Sequence, residues 1–370
     1  MQWKNVVLLF VAVLLSLAVL ELGLRIGTVH PISETSNITD HPDLGYVMSR
    51  KITGVNQEGF RTPLASKVDV AVIGDSHTYG ANVNSEQSWP AVLGQATGKS
   101  VYNFGVNGYG LLQYATLVDM ALAKKPETIL LGFFLKNDLV GICRDAKKIK
   151  SWQERSAEIG PDPKVCQDLY QAGKARRSRE NYPLGRRIKE YSATFSILTD
   201  LYSRMALQRK MQDERKDGFI VLINGHTAIP LRKKTLGLFA DYMDLAQPEV
   251  ALAYDVLKSV LNQTVDKTRR QKVRLGVLLI PSRERALYDS FKSQGQELGP
   301  EYERLVRNED QLKRQVAELL KAKGVAMSDA LSEVKLAVSR NEVVYPAQQD
   351  SHPVEAGYQA YALAARRLVQ

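Results

Sequence analysis

Residues 68–80 read VDVAVIGDSHTYG, and the division inside this stretch decides the fold. Val68 to Gly74 is a short run of apolar, β-branched residues closed by a glycine, the pattern of a strand buried on both faces of a parallel sheet. Asp75, Ser76 and His77 then leave the strand at its carboxyl end, where open α/β sheets bind their ligands. The same tripeptide returns as Asp350, Ser351 and His352 in QQDSHPVEAGY.

Working outward, strand and helix patterns alternate. SWPAVLGQATG reads as a helix with Pro90 in its first turn, and KSVYNFGVNGYG as a second strand entering a turn with Gly105, Gly108 and Gly110. LLQYATLVDMALAKK has helical apolar spacing, and ETILLGFFLKND is a third buried strand ending at Asn137 and Asp138. After a long polar stretch the alternation resumes with a helix in PEVALAYDVLKSVLNQTVDKTRRQ and a fourth strand in VRLGVLLIP. A helix in QLKRQVAELLKAKG, a short strand in VAMSDA and a final helix in PVEAGYQAYALAARRLV complete it. This order predicts βαβ crossovers and a parallel sheet with helices on its faces.

Residues 140 to 250 interrupt the pattern and are expected to form an insertion beside the functional edge, with helices around 186 to 212. FIVLINGHTAI carries a hairpin signal, because Asn224 and Gly225 supply the positive φ of a tight turn. Between 144 and 215 there are 17 basic and 10 acidic residues. That surplus suits a solvated face, a groove for an anionic polymer or a surface facing acidic lipid. The net charge of +10 over 370 residues comes with no zinc-finger spacing, aromatic RNA-binding motif or heptad repeat, so nucleic acid is the least favoured partner.

The expected domain organisation is 1–27 as an N-terminal transmembrane signal anchor, 28–66 as a linker or lead-in, and 67–370 as the α/β domain. Asn5 to Leu24 reads NVVLLFVAVLLSLAVLELGL, and about twenty apolar residues span a bilayer core. A signal peptide would have a shorter apolar core and a small-x-small cleavage site, which LELGLRIG does not offer. Lys4 ahead of the segment leads to the expectation that the N-terminus lies inside and the α/β domain on the periplasmic or extracytoplasmic side of a cell inner membrane. Cys143 and Cys166 are the two cysteines. An exported chain can oxidise such a pair to a disulfide, and two unrelated buried thiols are the other reading.

A serine becomes a nucleophile when a base takes its proton and donors stabilise the oxyanion. His77 is poorly placed as that base, since consecutive residues leaving a strand point to different sides. His30 and His41 lie in the lead-in and His226 at the hairpin tip. His352 remains, in the loop after the last strand, with Asp350 able to hold Nδ1 while Nε2 faces Ser76.

GDSHTYG, the glycine of NFGVNGYG, the asparagine of LKND, and the Asp and His of DSHP resemble, in order and spacing, the four blocks of the SGNH, or GDSL-type, hydrolase and acyltransferase superfamily. The resemblance spans about 68 to 140 and 270 to 370. It implies a flavodoxin-like three-layer α/β/α fold, with Ser76 as nucleophile, His352 as general base and Asp350 as its orienting acid. The oxyanion donors it implies are the Ser76 N–H, the Gly108 N–H and the Asn137 side chain. Leu135 stands where the family's third block usually opens with glycine. The last block is Asp350-x-His352 rather than Asp-x-x-His, a shorter spacing that acyltransferase relatives acting on extracellular polysaccharides share.

The expectation is therefore a membrane-anchored serine esterase acting on an acylated carbohydrate or other ester, with O-acetyl groups of an envelope or extracellular polysaccharide as its target. An O-acetyltransferase working with envelope polysaccharide machinery is the first alternative. A non-catalytic glycan-binding or scaffold protein is the second. The chemistry requires no cofactor, and no metal constellation is visible.

Overall fold

The structure is a computed structural model, and it describes residues 3–26, 37–148, 166, 219–224, 227–346 and 351–370. The chain divides into two compact units, one of residues 1–38 with 174–217 and one of residues 39–173 with 218–370. In the first, α1 runs over Trp3–Ile26. Among the described residues no helix is long and apolar enough to cross a membrane. The span expected over Asn5 to Leu24 thus stays a reading of the sequence and is not a feature of the structure.

The second unit holds an α/β domain. It is led by strands β1 (Ile38–His41) and β2 (Gly45–Met48), which pair in a two-stranded sheet. The strands β3 (Val70–Gly74), β4 (Val101–Asn103) and β5 (Thr128–Phe134) follow, with helices α2 (Ser76–Tyr79), α3 (Trp89–Thr97) and α4 (Leu111–Ala123) between them. Beyond α5 (Ile142–Lys148) come the antiparallel hairpin β6 (Phe219–Asn224) and β7 (Thr227–Arg232), then α6 (Lys233–Asp241) and α7 (Pro248–Arg270). The last part contains β8 (Arg274–Ile280), α8 (Arg283–Ser293), α9 (Pro300–Ala322), β9 (Ala326–Asp329), α10 (Leu331–Ser339) and α11 (Glu355–Arg366).

Five strands form one parallel sheet in the order β4-β3-β5-β8-β9. All seven residues of central β5 and all five of β3 are buried, as expected where helices cover both faces. Helix α3 packs with α11, and α4 with α7. Right-handed crossovers put these pairs on opposite faces, because the chain steps from β3 outward to β4 and then returns past β3 to β5. That reversal is a topological switch point between β3 and β5, and open α/β sheets bind their ligands at the carboxyl ends of the strands at such a point.

Two glycines let the first turn sit on this edge. Gly74 and Gly132 are register partners, and a Cβ on either would come within 2.0 or 2.4 Å of Thr78 Oγ1. Thr78, fully buried, fills the space their missing side chains leave. The hairpin expected in 219–229 is present in β6 and β7, although Gly225 and His226 at its tip lie outside the described residues, as do the helices expected around 186 to 212. The lead-in is ordered within the domain from Thr39 onward, with Leu44 and Phe60 fully buried. Cys143 and Cys166 form a disulfide, with Cα atoms 5.1 Å apart.

Candidate active site

Ser76 is the first residue of α2, two positions beyond the glycine that ends β3. Asp75 caps that helix, its Oδ1 accepting from the His77 backbone N–H at 2.9 Å. This is the Asx capping geometry that aspartate favours at a helix start. His352 reaches the same point from the far end of the chain, with Nε2 2.8 Å from Ser76 Oγ. A second, longer contact of 3.4 Å joins Ser76 Oγ to Asp75 Oδ2. A hydroxyl has one proton to give, and the shorter contact directs it at the imidazole.

The loop carrying His352 is held at both sides. Val354 N–H donates to Val344 O at 2.9 Å, and Asn82 Nδ2 donates to the His352 carbonyl at 3.4 Å. Tyr358 in α11 donates to Ala81 O at 2.8 Å, while Gln87 Nε2 donates to Glu355 at 2.8 Å. The start of α11 is thereby tied to the segment that follows α2, and the histidine is delivered over the serine.

His77 points elsewhere. Its ring is fully buried, 3.8 Å from the Phe134 ring centroid and 4.9 Å from that of His352. It packs behind His352 and gives it a wall. Asp350 lies outside the described residues, so its place beside His352 is not fixed by the geometry.

The other two turns meet at this edge as well. Phe104 N–H donates to Val72 O at 2.7 Å and Val106 N–H to Gly74 O at 3.3 Å, drawing the loop after β4 against the end of β3. A Cβ at Gly105 would lie 2.4 Å from Tyr79 N, so only glycine lets that loop approach α2. Gly108 occupies the exposed tip of the same loop, at φ 79°. Asn137, from the turn after β5, donates through Nδ2 to Asp75 Oδ2 at 3.1 Å. An amide nitrogen carries two protons, which leaves one for a ligand.

Two of the carboxyl groups at these strand ends are set apart by their burial. Asp75 and Asp138 are both buried. Burial pushes each above the usual carboxylate range, N–H donors oppose it, and the charge of Asp75 raises Asp138 further. Asp138 accepts from Tyr114 Oη at 3.0 Å and from Phe134 N at 2.8 Å. It closes the β5 turn from which Asn137 projects.

Next to Asn137, Lys136 is buried and donates to Glu284 at 2.9 Å, with its ammonium 3.7 Å from the Phe239 ring centroid. Burial alone would raise Glu284, but Lys136 and Arg283 hold it down at about 2. Lys136 lies in the turn just past the end of β5, between Leu135 and Asn137, where a charged residue gives no sign in the sequence of being buried.

A serine in contact with an imidazole nitrogen, beside a glycine loop and an amide side chain, has the parts for acyl transfer through a covalent intermediate. Among the described residues there is no cluster of three or more metal-ligating side chains.

No protein-family profile matches the chain, and no curated protein does. Solved structures resembling it include a member of the lipolytic protein G-D-S-L family from Veillonella parvula, at 10% identity over 81% of this chain and 96% of that one, TM-score 0.37. A GDSL-like lipase from Bacteroides thetaiotaomicron resembles it at 9% identity over 83% and 91% of the two chains, TM-score 0.36. A catalytic mutant of an acetylxylan esterase from Geobacillus stearothermophilus does so at 13% identity over 83% and 95%, TM-score 0.38. At such identities and TM-scores the likeness transfers no activity or residue role to this chain.

Proposed function

We propose that this protein is an SGNH-type serine esterase acting outside the cytoplasm through an acyl-Ser76 intermediate, and that it removes O-acetyl groups from a cell-envelope or extracellular polysaccharide. The observation that carries this reading is the 2.8 Å contact between Ser76 Oγ and His352 Nε2, at the switch point of the sheet.

His352 takes the hydroxyl proton as Ser76 Oγ attacks the ester carbonyl carbon, with Asp350 as the group that orients the imidazole. The Ser76 N–H, the Gly108 N–H and the second Asn137 N–H receive the oxyanion. Collapse of the tetrahedral species returns the proton from His352 to the leaving alkoxide and leaves acyl-Ser76. Water, deprotonated by His352, then attacks the acyl carbon, and the serine leaves with that proton.

A sugar hydroxyl in place of water would make the same intermediate an O-acetyl donor. The Asp350-x-His352 spacing favours keeping that second outcome, since acyltransferase relatives share it. The location rests on the apolar stretch Asn5 to Leu24 as an inner-membrane anchor. The Cys143–Cys166 disulfide suits an oxidising compartment.

The purified protein is expected to hydrolyse p-nitrophenyl acetate, and Ser76→Ala and His352→Ala to lower kcat by on the order of 10⁴-fold or more. His77→Gln should retain turnover. Equal rates for wild type and Ser76→Ala would remove the nucleophile from this account. Mass spectrometry of polysaccharide acetylation with and without the protein separates removal from addition by its sign.

A further inference from the structure

The peptide joining Asn107 to Gly108 is gripped from outside the α/β core. Tyr46, on β2 of the lead-in hairpin, donates from its hydroxyl to the Asn107 carbonyl oxygen at 2.6 Å. Tyr109, on the other side of the glycine, donates from its own hydroxyl to the Tyr46 carbonyl. The two rings meet edge to face, with centroids 5.4 Å apart and planes at 64°. Tyr109 is only 2% exposed, and burial pushes its phenol up, so it stays a protonated donor.

The described chain contains no cis peptide bond. In a trans peptide the C=O and N–H share a plane and point in opposite directions. A bond that fixes the Asn107 oxygen therefore fixes where the Gly108 N–H points. This control is needed here, because Asn107 and Gly108 are exposed and Gly108 sits at φ 79°. A glycine in that region has little steric reason to keep one peptide orientation. An oxyanion donor works by being aimed before the charge develops.

We propose that Tyr46 is a positioning residue for the oxyanion donor at Gly108: its hydroxyl orients the Asn107–Gly108 peptide and, by hydrogen bonding the carbonyl, polarises the N–H on the other side. This rests on the esterase reading above. Hydrogen bonds in series strengthen one another, so loss of the hydroxyl weakens the donor as well as loosening it. The lead-in hairpin thereby becomes part of the active-site machinery, although it precedes the first strand of the parallel sheet.

The test is Tyr46→Phe in the full-length protein, which keeps the ring and removes only the hydroxyl. Three quantities are read: p-nitrophenyl acetate turnover, the rate at which a fluorophosphonate labels Ser76, and the amide signal of Gly108 in protein labelled with ¹⁵N-glycine. We expect kcat to fall about tenfold, the loss of one hydrogen bond's worth of stabilisation, with KM unchanged and the thermal midpoint lowered by no more than about 4 °C. Labelling should slow in parallel, and the Gly108 signal should shift.

Wild-type turnover in Tyr46→Phe with an unmoved Gly108 signal would overturn the proposal. So would a fall in kcat that tracks loss of folded protein while Gly108 is unmoved, since that is a purely structural effect. A wild-type protein that neither hydrolyses the ester nor labels refutes the esterase reading itself, and the donor role of Gly108 with it.

Discussion

At the scale of single residues, the site depends on competition for protons. Ser76 Oγ has two acceptors within reach, and the nearer is His352 Nε2. Asn137 gives one amide proton to Asp75, and the proposed mechanism assigns the other to the oxyanion. Asn137→Ala is therefore expected to lower kcat for p-nitrophenyl acetate by about 10²-fold, the usual cost of removing one oxyanion donor. A change within experimental error would strip Asn137 of that role. The serine and the distant histidine were legible in the chain because polar groups at strand ends stand out against apolar strands. Glu284 was not, and Asp138 was legible only as a turn residue, because burial of a carboxylate has no sequence signature.

At the scale of elements, short close contacts decide whether Ser76 is presented at all. Helix α2 has only four residues, too few to hold itself together, and is fixed by its cap and by the glycines around it. Gly105→Ala would press a methyl group against Tyr79 N and Thr78 C, at 2.4 and 2.6 Å. Backbone atoms cannot rotate away, so we expect about 1–3 kcal/mol of destabilisation and a loss of activity larger than the loss of folded protein. Urea titration and turnover on the same sample check this.

The Cys143–Cys166 bridge spans 23 positions of sequence, and replacing both cysteines by serine should cost about 3 kcal/mol by the loop-closure estimate. Equilibrium unfolding reads that cost directly. Strands β3, β5 and β8 were readable as apolar runs, and the short β4 and β9 from their place in the alternation. Helices α6, α8 and α10 and the strand pair β1 and β2 were not, because a one-sided, partly exposed element mixes polar and apolar residues over too few turns. Residues 38–41 are half-buried at most, and their pattern shows no alternation.

Across the whole molecule, a buried charged cluster joins the ends of β5 and β8 to helix α9. Glu309 accepts from Ser282 N at 2.8 Å and from the Ser282 hydroxyl, close to the Lys136–Glu284 pair. Burial raises Glu309 to about 7, with Ser282 opposing and Glu284 adding to the rise. A carboxyl that holds its proton more tightly in the folded state stabilises most below its unfolded value, 4.5. That contribution is lost as pH climbs toward 7. Glu309→Gln keeps a partner for both Ser282 groups and removes the titration. It should flatten the decline between pH 5 and 8, worth up to about 3 kcal/mol in wild type. Urea midpoints at both pH values for both proteins measure it, and parallel declines would exclude Glu309 as the source.

By itself the sequence determined the alternation of strands and helices, the nucleophile candidate at the end of the first strand, and the pairing of the two cysteines as one of two readings. Each follows from local chemistry: apolar periodicity, turn residues, and a histidine chosen by elimination. Tertiary structure alone decided that Ser76 and His352, separated by 276 positions, meet at 2.8 Å. It also turned His77 into a wall, buried Lys136 against Glu284, and brought Tyr46 onto the Asn107–Gly108 peptide. These contacts depend on strand order, on crossover direction and on where glycines let backbones approach. Such properties arise only when distant segments pack together.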